Sequence, residues 1–137
     1  MKTAATIIQV LIRLLGLIMI VLGVLFWTGN ALTLIPIHML LGLVLVLLLW
    51  AQAILAARAG MGLGLAALAF AWGLIVVALG VMQNRLLPGD AHWVIKILHL
   101  LVGVAAIGLA ERLAGGIKRG RLAAETNDMT PKSISAR

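Results

Sequence analysis

The chain has three histidines and no cysteine. Two of the histidines recur in matching contexts: His38 opens HMLLG at 38–42, and His99 opens HLLVG at 99–103. Imidazole is the side chain best suited to ligate a metal or move a proton near neutral pH. The missing thiols exclude disulfides, thiolate metal sites, iron–sulfur clusters and covalent c-type haem attachment. A second matching pair lies upstream, GLIMIVLGV at 16–24 and GLIVVALGV at 73–81. The offset is 57 residues for that pair and 61 for the histidines. This pattern predicts a tandem duplication of a helix–loop–helix unit, with four residues added to the second loop.

The elements that position these histidines follow from composition. Hydrophobic residues make up 64% of the 137-residue chain and charged residues 11%. A soluble domain averages about 45–50% and about 25%, so the solvent of most of this chain is a lipid bilayer. Runs of about 20 apolar residues predict four spans, at 6–27, 36–58, 63–82 and 91–113. Thr28-Gly29-Asn30 reads as a turn, Pro36 suits the first turn of the second helix, and Asp90 is a candidate cap for the fourth. Arg13 interrupts the first apolar run and no convincing cleavage site follows, which opposes a signal peptide. Gly115-Gly116 is expected to end the fourth helix. The expected organisation is therefore an all-α, four-span transmembrane bundle of two tandem repeats over 1–116. A basic, disordered cytoplasmic tail is expected over 117–137.

The net charge of +7 comes from residues at the chain ends and one loop, which marks topology rather than a nucleic-acid surface. Lys2, Arg13, Arg58, Arg112, Lys118, Arg119 and Arg121 fall on one side of four spans, with Arg85 nearly alone on the other. The positive-inside rule then puts both termini in the cytoplasm. The short loops favour a bacterial inner membrane. Trp27 and Trp93 are expected at the opposite interface, and both His38 and His99 in that non-cytoplasmic half.

In an up-down-up-down bundle, helices two and four are diagonal partners that start from the same side. His38 and His99 then reach similar depth from opposite corners. Inward-facing, they match the need of a six-coordinate haem iron for one imidazole above the macrocycle and one below. Gly42 and Gly103 follow the histidines by one turn and share their faces. Gly16, Gly23, Gly73 and Gly80 repeat at seven-residue spacing, where a porphyrin edge needs the backbone to retreat. Close helix packing uses glycines of the same spacing, and a histidine near the interface can simply bond a neighbouring backbone. His38…Gly42 and His99…Gly103 resemble the inward histidines and haem-edge glycines of four-helix membrane b-type cytochromes, among them cytochrome b and the haem-carrying anchors of succinate dehydrogenase. The resemblance implies one haem b held by His38 and His99 near the non-cytoplasmic face, electron transfer within a larger membrane redox complex, and a quinone as candidate partner. Cytochrome b carries two histidine pairs; this chain carries one pair plus His92, enough for a single haem.

Other polar residues have two readings each. Lys96 and Arg85 hold haem propionates at the non-cytoplasmic surface, or Lys96 snorkels at the interface. His92 is a spare ligand, proton carrier or quinone contact, or more commonly a solvated interfacial residue. Arg13 and Glu111 form an intramembrane ion pair or quinone contact, or, as the favoured expectation, Glu111 pairs with Arg112 or Arg58. Gln9 and Gln52 are candidates for interhelical bonding. Trp50 and Trp72 pack between helices or face lipid, rather than stacking on a cofactor. A hydrolytic or group-transfer enzyme is disfavoured because no nucleophile–base–orienter set is visible. A proton-coupled transporter is disfavoured because Glu111, the one acidic residue within a span, lies near an end. The remaining alternative is a cofactor-free accessory or assembly subunit of a membrane complex.

Overall fold

The computed structural model describes residues 2–129. These form four helices: α1 Lys2–Trp27, α2 Ile35–Arg58, α3 Leu63–Met82 and α4 His92–Met129. Short 3-10 turns at Leu32–Leu34 and Gln83–Arg85 precede α2 and follow α3. There is no strand among the described residues. Each helix is long and apolar enough to cross a membrane, over Thr3–Trp27, Leu32–Arg58, Leu63–Arg85 and His92–Gly120. The chain is a multi-pass membrane protein on that evidence.

Two helices end by the same device. Gly29 (φ 78°) and Gly60 (φ 82°) adopt the left-handed conformation that a Cβ disfavours. Asn30 N–H then reaches back to the Leu25 carbonyl, and Met61 N–H to the Ala56 carbonyl, which satisfies carbonyls the helix leaves free. Thr28 Oγ1 adds a bond to the Leu25 carbonyl at 2.9 Å. Pro36 occupies the first turn of α2 as expected. Asp90 does not cap α4; its side chain makes no hydrogen bond among the described residues.

The larger departure is at the end of α4. The helix passes through Gly115-Gly116 and continues to Met129. Glycine permits a stop but does not impose one. Neither Gly115 nor Gly116 turns left-handed. The thioether of Met61, from the loop between α2 and α3, rests where a Cβ of Gly116 would be. Gly116 is thus a docking notch rather than a terminator. The expected disordered tail is helical over 117–129, and its remainder, 130–137, lies outside the described residues.

The helices alternate in direction, so the start of α1 and the far end of α4 lie at one end of the bundle (the termini end) and the histidines toward the other (the histidine end). Sequential helices pack against each other and α1 packs against α4. The diagonal pair α2 and α4 also touch, whereas α1 and α3 do not approach among the described residues. The cross-section is therefore a rhombus with α2–α4 as its short diagonal. The core at the termini end consists of Ile12, Leu49 and Leu113 among alanines 53, 56, 66, 69, 106 and 110. Small side chains let helices approach closely in a bilayer, where dispersion contacts replace hydrophobic drive. Large apolar side chains such as Leu14, Leu17, Leu40, Leu63 and Leu74 point outward.

Candidate functional site

On α2, His38, Gly42, Leu45, Leu49, Gln52 and Ala56 follow one another at alternating spacings of four and three. On α4, His99, Val102, Ala106, Ala110, Leu113 and Ile117 form the corresponding stripe. Such spacing keeps one face turned to the bundle axis. Both stripes begin with histidine, and α2 meets α4 on the short diagonal, so the imidazoles converge. Their ring centroids lie 6.5 Å apart with the planes tilted by 54°. Both rings are half-buried. The Nδ1 atoms of His38 and His99 are buried and have no hydrogen-bond partner.

The surroundings of the pair come from all four helices. The Phe26 ring of α1 stands edge-on to His38, with centroids 5.3 Å apart. A Cβ on Gly80 of α3 would lie 3.3 Å from Cε1 of His99, so a side chain there would crowd the ring. Gly42 receives the methyl of Met19. Gly23 and Gly103 border open space, with nothing within 4 Å of a built Cβ. Sequence reasoning did not single out Met19 or Phe26, although both share the face of Gly23 at helical spacing.

A metal–imidazole bond of about 2 Å on each side would set the two centroids roughly 6 Å apart. The observed 6.5 Å is within reach of that value. Among the described residues no three or more His, Cys, Asp or Glu side chains gather. Two imidazoles alone complete a coordination sphere when a macrocycle supplies the other ligands. The donor set therefore fits a haem better than a bare ion. Met19 rests against Gly42 beside the pair, and an unbranched thioether moves readily.

The other candidates separate into two groups. Arg85 lies exposed in the turn after α3, and Lys96 half-buried one turn before His99. Both are at the histidine end, and neither forms an ion pair among the described residues. His92 Nδ1 lies 3.3 Å from the Leu86 carbonyl, tying the start of α4 to the preceding loop.

The second group lies at the termini end. Arg13 binds Glu111 through two parallel bonds, Nε to Oε1 at 2.6 Å and Nη2 to Oε2 at 2.7 Å. Gln9 Nε2 donates to the same Oε2 at 2.6 Å. The expectation that Glu111 pairs with Arg112 or Arg58 is therefore overturned. Adjacent residues on a helix diverge, which removes Arg112, and the forked guanidinium of Arg13 on the neighbouring helix matches the carboxylate edge. Trp72 Nε1 donates to the Val102 carbonyl at 3.0 Å, joining α3 to α4. Trp50 stacks on Phe70 with centroids 5.4 Å apart and lies against Gly73. Both tryptophans pack between helices, and among the described residues neither ring pairs with an imidazole. Gln52 is fully buried, with neither side-chain atom partnered.

No family model matches this chain, and no curated protein or solved structure matches it.

Proposed function

We propose that this chain is an electron-transfer subunit that holds one haem b between His38 and His99, within a larger membrane redox complex. The observation that carries this reading is the imidazole pair: one ring from each of two diagonal helices, 6.5 Å apart, with the Nδ1 of each buried and lacking a protein partner. Haem supplies reversible one-electron chemistry when bound. His38 and His99 would hold it through their imidazoles. Gly23, Gly42, Gly80 and Gly103 keep the backbone clear of the macrocycle edge. Lys96 and Arg85 neutralise the propionates at the histidine end. A membrane quinone is the candidate electron partner.

The same proposal takes α1–α2 and α3–α4 as duplicated halves, with His38 and His99 as equivalent residues. The pattern of helix neighbours supports this, since a twofold relation exchanges α1·α2 with α3·α4 and keeps α2·α4 as the shared diagonal. By the distribution of Lys and Arg, the histidine end is the non-cytoplasmic one, in a bacterial inner membrane.

The visible spectrum of the purified protein with and without dithionite tests the reading. A reducible b-type band is expected, lost in His38→Ala and in His99→Ala with helical content retained. The runner-up, a cofactor-free accessory subunit, draws support from Phe26 and Met19, which already occupy part of the layer around the histidines. Colourless wild-type protein, purified from cells supplied with haem, selects that alternative.

A further inference from the structure

The termini end of the bundle holds a polar layer that the histidine pair does not use. Its position follows from helix register. Met19 meets Gly42 across the antiparallel pair α1 and α2. Ten residues from that contact along each helix, toward the termini end, stand Gln9 and Gln52, so the two carboxamides share a level. α2 and α4 run the same way, and His38 faces His99. Fourteen residues on from each stand Gln52 and Leu113, the latter two residues past Glu111. Gln9, Gln52 and Glu111 thus belong to one layer, about 21 Å along α2 from the imidazoles.

Within this layer Gln9 commits its Nε2 to Glu111, a bond in which its Oε1 takes no part. Gln52 has no exposed surface, and both Oε1 and Nε2 lack partners. A carboxamide without hydrogen bonds in an apolar interior is strongly unfavourable. Protein interiors resolve such groups with a protein partner or a held water. The surrounding core is alanine-rich, with Ala53, Ala56, Ala66, Ala69 and Ala110. It leaves little width beside Leu49 and Leu113, which are themselves fully buried.

We propose that Gln52 is an internal hydration site. At least one water molecule is held between its carboxamide and that of Gln9, in a polar chain that ends on the Glu111–Arg13 pair. Water suits the site because it donates and accepts at once. It can accept from Gln52 Nε2 and donate to Gln9 Oε1, and a small polar space with two or more partners is what a buried water requires.

Radiolytic hydroxyl labelling of the full chain in detergent reads this directly, because radicals formed on a held water attack the side chains beside it. Leu49 and Leu113 are expected to be oxidised in the wild type despite their burial, and to lose that labelling in Gln52→Leu. Gln52→Glu keeps the size of the side chain and offers oxygen acceptors to which a held water can donate, and is expected to keep the labelling. Gln52→Leu is also expected to unfold a few degrees below the wild type. Unlabelled leucines in the wild type overturn the proposal, as does a Gln52→Leu chain that unfolds at or above the wild-type temperature. If Gln52→Leu does not fold, the wild type and Gln52→Glu decide the question: labelling of both supports the site, and its absence from both overturns it.

Discussion

At the termini end the four helices close around Ile12, Leu49, Ala69 and Leu113, each at most 1% exposed. Toward the histidine end coverage thins along the inward stripes, with Leu45 and Ile95 at 6% and Val102 at 8%. Both ends use the same four-and-three spacing on the same helices. The difference lies in what occupies the inward positions. Alanine carries a Cβ that fills the space between approaching backbones, so the termini end becomes a closed core. Glycine and histidine put either nothing or a polar ring there, and nothing lies within 4 Å of where a Cβ of Gly23 or Gly103 would stand. The closed end secures the geometry and the looser end has room for chemistry.

Substitutions that fill space separate the two ends most sharply. Ala69→Leu is expected to cost about 3 kcal/mol or more, because a fully enclosed site cannot accept three further carbons. Denaturant or thermal unfolding in detergent measures this. A loss of similar size from Gly103→Leu in haem-free protein would break the comparison. Gly73→Ala comes next, at about 1–3 kcal/mol, since the new methyl meets the Trp50 indole, itself stacked on Phe70. The same measurement applies, and a neutral result would mean that the indole shifts freely. Trp72→Phe, at the boundary between the ends, removes the donor to the Val102 carbonyl and should cost about 1 kcal/mol. Gly103→Ala has the smallest effect and the opposite sign. Helix propensity favours alanine by up to about 1 kcal/mol, and nothing opposes the new methyl. Haem-free protein should unfold at the same temperature or slightly higher, while the haem-to-protein ratio on purification falls. An unchanged ratio would remove Gly103 from the haem edge.

Most of the architecture was legible in the sequence because bilayer thickness fixes span length so tightly. The expected limits of the second and third spans, 36–58 and 63–82, lie within a residue of the helices found. The convergence of His38 and His99 was likewise readable, since both stand within the first two turns of helices that share a direction. What sequence pattern could not supply was the partner across a helix interface. Glu111 finds Arg13, 98 residues away, through a packing choice that charge spacing does not encode. Gly115-Gly116 looked like a stop because local propensity is blind to Met61, which arrives from another loop to fill the notch. Gln52 looked like ordinary interhelical glue, and only its full enclosure without a partner sets it apart.

The unbroken course of α4 has a mechanical consequence. Thirty residues separate His99 from Met129, about 45 Å of continuous helix. With Met61 wedged against Gly116, the helix runs through the glycine pair without a break. Whatever grips the far end of this rod, by twisting or tugging it, acts on the imidazole through a single stiff lever.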